Sequence, residues 1–318
     1  MTPSLGSTIL VTGAAGFVGG HLVRHLLALD AAPARLVALD LARGPDLPGL
    51  EWVVCDLADP AAVRDAVAQA APDAIVHLAA VTHGDDLAVY FAANVVAGQN
   101  VLAAAAGLPR PPRVLVVGSA AQYGITSGEY EVVEEDRPLL ARTPYGVSKI
   151  LQERWALLWA EARGLPVVCV RPFNITGPGQ PPSLVPAAFL EQLADVLDGR
   201  ADAVRVGNTE SCRDFTDVRD VVAAMAALLA ASEEVQGRVF NIASGEAVRI
   251  GDILQECIRL GGGDVRVEVN PARIRRHDVP VIVGDASRLR AATGWAPEVS
   301  WRRSLEDTWH AIREARGA

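Results

Sequence analysis

The chain has 318 residues, half of them hydrophobic, with 29 basic against 38 acidic side chains and a formal net charge of −9. That length allows one large domain or two medium ones around a sizeable core. The acidic balance argues against a nucleic-acid backbone or an anionic membrane surface as partner, although a few local arginines can still hold an anionic small molecule.

The opening stretch MTPSLGSTILVTGAAG carries no positive region ahead of its apolar run, so it is not expected to be a secretory signal. TILVT (8–12) predicts the first strand, followed by a glycine-rich turn and a helix through Leu29. RLVALD (35–40) predicts a second strand and EWVVCDL (51–57) a third. Asp59 and Pro60 open a helix near 60–70 as a cap and first-turn pair. DAIVHLAA (73–80) reads as a fourth strand, an Ala-rich helix covers roughly 86–106, and RVLVVGS (113–119) is a fifth strand. After a loop over 120–142, Thr143-Pro144 opens a helix to about Arg163, and PVVCVRP (166–172) is a sixth strand. No apolar run is read as reaching the roughly 20 residues of a membrane span.

Near-continuous apolar strands separated by helices predict an α/β fold, a Rossmann-type doubly wound parallel sheet whose ligands bind at the carboxyl ends of the strands. The pattern changes after Pro172, so residues 1–172 are expected to form the dinucleotide-binding part and 173–318 a smaller α/β portion, with room for the chain to cross back. In that portion a Gly/Pro-rich loop (173–186) precedes a helix (187–199), a strand (203–206), a helix after Asp217, a strand (238–243), a helix (250–260), a strand (264–269) and two terminal helices. Four cysteines, Cys55, Cys169, Cys212 and Cys257, lie far apart without a CxxC pair or a Cys/His cluster. No metal site is therefore expected, and the usage fits a reducing cytoplasm. Cys169 reads as a small core residue.

Gly13, Gly16 and Gly19 form a GxxGxxG pattern between the first strand and the first helix. Small residues there allow a tight turn and a close approach to a pyrophosphate, while the helix N-terminus offers free N–H groups and a favourable dipole. Asp40 ends the second strand at about the spacing of an acid that binds the adenosine ribose, which favours NAD over NADP, with NADP still possible. Arg43 could meet a 2′-phosphate or be a surface residue. Asp56 could contact adenine or cap a helix.

Tyr145 and Lys149 are one helical turn apart in TPYGVSK and face the same way. An ammonium beside a phenol is expected to lower its pKa, which suits the tyrosine to proton exchange at a carbinol oxygen. Ser119, ending the fifth strand, could hold the same oxygen. His77 in a buried strand reads as a satisfied core histidine, Arg171 as half of a structural salt bridge, and Glu129, Glu131, Glu134 and Glu135 as solvated loop residues.

With these segments in place the chain resembles the extended short-chain dehydrogenase/reductase family of nucleotide-sugar epimerases, dehydratases and reductases. The likeness is carried by TGAAGFVGGHLV, IVHLAA, FAANVVAGQNVL, VGSAAQYG, YGVSK, RPFNITGPGQ, RDFTDVRDVV, FNIASGEAVRI and GDASRLRAATGW. It implies a catalytic Ser119, Tyr145 and Lys149, with Lys149 also on the nicotinamide ribose. It further implies a cofactor cradle that includes Phe17, Val18, Leu57, Leu78, Ala79, Ala80 and Asn94. A nucleoside-diphosphate sugar is the implied substrate, with Arg213 and Arg275 on the diphosphate, Asp278 on its ribose and Asn174 on the sugar nucleotide. The helices near 86–106 and 144–163 would pair two copies as a homodimer. Dehydratases of the family carry an acidic pair where this chain has Ala120 and Ala121, so elimination lacks its groups. The later motifs resemble the GDP-4-dehydro-6-deoxy-D-mannose reductase branch most, with a nucleotide-sugar 4-epimerase as the alternative and a non-catalytic dinucleotide-binding protein as the different-class rival.

Overall fold

A computed structural model describes residues 5–84, 86–124, 132–263, 265–273 and 280–317. The strands of its first half are β1 (Thr8–Thr12), β2 (Arg35–Asp40), β3 (Leu50–Val54), β4 (Ala74–His77) and β5 (Arg113–Val117). They are followed by β6 (Val132–Val133), β7 (Val167–Pro172), β8 (Asn174–Thr176), β9 (Val204–Val206), β10 (Cys212–Arg213), β11 (Phe215–Asp217), β12 (Arg238–Ile242), β13 (Val248–Arg249), β14 (Val267–Val269) and β15 (Val281–Gly284). The α-helices are α1 (Phe17–Ala28), α2 (Pro60–Ala70), α3 (Leu87–Tyr90), α4 (Ala97–Ala106), α5 (Pro144–Arg163), α6 (Ala187–Leu197), α7 (Val218–Ala230), α8 (Ile250–Gly261), α9 (Ser287–Thr293) and α10 (Trp301–Ala315).

Seven strands form one sheet in the order β12-β7-β5-β4-β1-β2-β3, every neighbouring pair parallel. This is the Rossmann-type doubly wound arrangement the sequence predicts. Alternation along β1 sends Ile9 and Val11 to one face and Leu10 to the other. The first face packs on α1 and α7 through Leu22, Leu26, Val221 and Met225. The second packs on α2, α4 and α5 through Val67, Leu102 and Ala156. A further core holds α6, α8 and α10 together around Leu193, Leu254 and Leu305. Two later segments return to the first layer: β12 pairs with β7 at the sheet edge, and α7 packs against the same face as α1.

The long strands and helices match the sequence reading to within a few residues, but β3, β4 and β5 stop at Val54, His77 and Val117, earlier than expected. The residues beyond them form the loops that line the crevice. Asp59 caps α2, its carboxylate accepting from Ala61 and Ala62 N–H. The Leu87–Ala106 stretch is a single helical run of 20 residues, apolar enough by composition to cross a membrane, which corrects the expectation that no such run exists. Its inner residues Ala97, Val101, Leu102 and Ala105 lie in the core beneath the sheet. Within it, Phe91–Val96 form a π-helical turn, a local widening that often marks a functional position.

Candidate active site

The strand order reverses between β1 and β4, the switch point outside whose carboxyl ends sheets of this kind bind their ligands. Gly13 ends β1 at φ +70°. A Cβ there would sit 2.6 Å from the Ala79 amide nitrogen, so Gly13 lets the β1 and β4 loops touch. A Cβ at Gly19 would lie 2.1 Å from the Gly13 carbonyl oxygen, which leaves glycine as the residue that fits between helix and turn. Gly16 caps α1 without a side-chain acceptor, so the first-turn N–H groups are available to an anion. Phe17 and Val18 are half-buried just behind them. The His21 ring nitrogen Nε2 lies 2.8 Å from the Pro178 carbonyl and ties α1 to the loop after β8.

Asp40 is fixed: Oδ2 accepts from Ala15 N–H at 2.9 Å and Oδ1 from Leu41 N–H at 2.7 Å. It therefore holds a carboxylate at the mouth of the glycine turn, where an adenosine ribose would lie. Arg43 is exposed three residues on. Asp56 accepts from Ala58 N–H at 2.9 Å in a local turn, while Asp59 does the helix capping. Leu57 is buried beside it. Leu78, Ala79 and Ala80 leave β4 half-buried along the opposite wall. Asn94 is fully buried, and its amide donates to Val81 O (3.0 Å) and Ser148 Oγ (2.9 Å) while accepting from Val81 N–H (2.8 Å). It thereby joins the loop after β4 to α5. These features fit a dinucleotide, which when bound would supply or accept a hydride.

Ser119 follows β5 and starts a short 3-10 turn over Ala120–Gln122. A reciprocal capping box holds it: Oγ accepts from Ala121 N–H at 3.2 Å, and Gln122 Oε1 accepts from Ser119 N–H at 2.8 Å. Ser119 lies close enough to the Tyr145 phenol to act on its proton affinity, so the structure places the two expected groups on one site. Lys149 is buried one turn later, with Nζ donating to Val117 O and Gln152 Oε1, each at 2.8 Å. The electrostatics differ from the expectation. Burial pushes the Tyr145 phenol up, Ser119 pulls it back, and the neighbouring Tyr90 adds to the rise. Lys149 makes its bonds to Val117 and Gln152, and burial lowers the ammonium itself to about 7. The correction is that desolvation, acting on both groups, outweighs the help one was expected to give the other.

Several neighbours were not picked out from the sequence. Tyr90 is buried with its ring 6.4 Å from that of Tyr145, and its hydroxyl donates to Gly84 O. Gln122 Nε2 donates to Glu153, whose carboxylate takes a two-pronged pair of bonds from Arg171 at 2.8 and 2.6 Å. Arg171 also donates to Tyr123 Oη and to Glu135 O. This confirms the structural salt bridge expected for Arg171, and Glu153 is its partner. The S-x-x-Q spacing of Ser119 and Gln122 was the readable sign of the capping box. Glu135 is buried and accepts from Asn241 N–H at 2.9 Å, so it is not the solvated residue expected; Glu134 is exposed. Glu129 and Glu131 lie outside the described residues. His77 has one ring nitrogen, Nδ1, at 2.8 Å from Thr12 Oγ1, while Nε2 has no partner among the described residues, so it is only half satisfied.

A cavity of about 710 Å³ lies in the second portion, lined among others by Asn174, Arg213, Phe189, Gln192 and Phe215. It brings two of the expected sugar-nucleotide residues together. Asn174 donates from its side chain to Asp214 O at 2.7 Å, which fixes the amide at the cavity wall. Arg213 donates to Cys212 O at 2.7 Å. Arg275 and Asp278 lie outside the described residues. No group of three or more His, Cys, Asp or Glu among the described residues could hold a metal ion.

The profile of the NAD dependent epimerase/dehydratase family matches residues 9–243. The chain is 32% identical over 305 residues to the GDP-6-deoxy-D-mannose reductase of Pseudomonas aeruginosa, covering 93% of this chain and 94% of that one. The structure of RMD from Pseudomonas aeruginosa complexed with NADPH superposes with a TM-score of 0.82 at 29% identity, over 97% of this chain and 99% of the other. The Thermus thermophilus UDP-glucose 4-epimerase complexed with NAD gives a TM-score of 0.84 at 28% identity, over 96% and 99%. Proteins named as dTDP-glucose 4,6-dehydratase and UDP-arabinose 4-epimerase are also among the relatives. The fold and the site define a nucleotide-sugar enzyme of the short-chain dehydrogenase/reductase type. The chain belongs to the NAD dependent epimerase/dehydratase family.

Proposed function

We propose that the protein reduces the keto group of a 4-keto-6-deoxyhexose nucleotide with NADH or NADPH, as a GDP-4-dehydro-6-deoxy-D-mannose reductase does. The observation that carries this reading is the placement of Ser119 against the Tyr145 phenol, beside Ala120 and Ala121 where an eliminating enzyme needs carboxylates. In this reaction Ser119 holds the carbonyl oxygen and Tyr145 gives it a proton as the alcohol forms. Its raised pKa suits a donor that keeps its proton until the oxyanion develops. Arg213 and Asn174 bind the sugar nucleotide, the role that the family resemblance also implies for Arg275 and Asp278.

A 4-epimerase is the second reading, favoured by the fixed carboxylate of Asp40 at the ribose position, which suits an unphosphorylated dinucleotide. Cofactor behaviour separates the two. A reductase consumes NADH or NADPH in step with product and releases the oxidised form; an epimerase turns over with tightly held NAD⁺ and no added cofactor. Incubation with GDP-4-keto-6-deoxymannose, followed at 340 nm and by mass spectrometry of product, is expected to show one cofactor oxidised per sugar reduced. Interconversion of 4-epimers without net oxidation would reverse the order. Tyr145→Phe is expected to abolish turnover while dinucleotide affinity stays within a few-fold.

The protein is further read as a homodimer. Val147, Leu151, Trp155 and Leu158 form an exposed apolar stripe on α5 at helical spacing, beside exposed Leu87, Val89 and Phe91. The four cysteines are free, which fits a reducing cytoplasm.

A further inference from the structure

Lys149 is surrounded by an unusual choice of partners. Its ammonium is buried, and its two hydrogen bonds go to a backbone carbonyl and to the amide oxygen of Gln152, neither of them charged. Of the titratable and charged groups, His77 on β4 acts on it, Tyr145 and Glu153 flank it on its own helix, and Glu153 and Arg171 in turn act on Cys169 of β7. Glu153 is bound by Arg171 and by Gln122. His77 is driven neutral by burial and by Lys149, to about 3. Cys169 is buried and its thiol is pushed up, which keeps it uncharged. Gln152 itself is buried, and its Nε2 has no partner among the described residues, as is also true of His77 Nε2. Both nitrogens converge on Gly98, where a Cβ would lie 3.2 Å from one and 3.3 Å from the other.

We infer that Gln152 is a positioning residue that holds the Lys149 ammonium by a neutral acceptor, so that the buried lysine is held in place without being locked as an ion pair. A carboxylate one atom different would fit the same space and fix the charge. The amide gives the same reach without the charge. The inference rests on Tyr145 and Lys149 as the proton-handling pair of the proposed reaction. The balance is simple: Lys149 holds or releases one proton, and the hydride and the carbonyl proton are those of the proposed reduction.

The test is the pH profile of kcat/KM for reduction, together with melting temperature against pH in the ligand-free protein. The wild type is expected to show an alkaline limb near pH 7 as Lys149 loses its proton. Gln152→Glu should move that limb upward by about one unit or more, and Gln152→Met, which keeps the length but loses the acceptor, should move it downward. The second readout needs no turnover. Lys149 titrates near 7 folded and near its ordinary 10.5 unfolded, so between those values the unfolded chain binds more protons and stability rises with pH. That rise should appear in the wild type over pH 7 to about 8.5 and be flattened in Gln152→Glu. Should Gln152→Glu not fold, the Met variant and the wild-type slope decide the matter. Folded variants with the wild-type limb and slope, or a wild type whose limb lies above about pH 9, overturn the inference. Absence of any hydride transfer by the wild type would instead remove the proposed reaction, while the melting series would still report on Gln152.

Discussion

Replacing Glu153 by Gln tests whether the buried pair beneath the site governs both stability and catalysis. Glu153 and Arg171 are both buried, and the guanidinium makes two short bonds to the carboxylate while Gln122 makes a third at 3.0 Å. The Gln side chain turns one acceptor into a donor facing the Arg171 donors and leaves a buried cation without its counter-charge. Breaking one side of such a pair costs about 3–5 kcal/mol. In a chain of this size that corresponds to a fall in melting temperature of about 5–10 °C. The loss should also reach the active site, because Gln122 links Glu153 to the Ser119 amide. A displaced Ser119 is expected to lower kcat about tenfold or more with little change in dinucleotide affinity. The assay is thermal unfolding alongside steady-state kinetics, with the Glu153→Met/Arg171→Met double variant completing a cycle. The double variant should be less destabilised than the sum of its singles by about 2 kcal/mol. A Glu153→Gln protein melting within about 2 °C of wild type, with unchanged kcat, would refute the reasoning.

Gly19→Ala should eliminate measurable dinucleotide binding in a fluorescence titration, since its Cβ would lie 2.1 Å from the Gly13 carbonyl oxygen and must move the turn that forms the phosphate site. His77 is held near 3 by burial against an ordinary value of 6.5, so the unfolded chain gains a proton first as pH falls and stability drops below about pH 6.5. That one group should cost about 2–3 kcal/mol between pH 7 and 4.5, read as a lower urea midpoint, and His77→Gln should remove its share of the slope. If the proposed homodimer forms, Trp155→Glu, in the middle of the α5 stripe, should convert it to a monomer in light scattering; a monomeric wild type or an unchanged mass would refute pairing through this stripe.

The parts of this architecture that are long and periodic were readable in the sequence. β1, β2, β7 and the helices α1, α2 and α5 announce themselves by apolar runs, by Asp59-Pro60 and by Thr143-Pro144. The two- to four-residue strands β6, β8, β10, β11, β13 and β15 were not, because so few residues carry no period; long-range pairing makes them. The same division holds in the site. Ser119, Tyr145 and Lys149 could be found from spacing and from resemblance. The link from Gln122 to Glu153 and the roles of Glu153 and Tyr123 could not, since they depend on partners 18 to 118 residues away. The electrostatic expectation failed for a related reason. A Tyr-Lys spacing says that two groups share a face, but not how deeply each is buried, and here burial moves both proton affinities toward neutrality of the side chain.

The return of β12 to the outer edge of the large sheet, with α7 laid over α1, bears on how such proteins can be recombined. A gene cut after Pro172 would strip the strand that covers β7, leaving a row of unsatisfied amides and carbonyls and baring Val221, Val222 and Met225's counterpart surface on α1. Such a fragment should be sticky rather than a free-standing nucleotide module. A chimera that exchanges substrate preference among relatives would have to leave residues 218–242 with the parent that donates the first half, and splice around them.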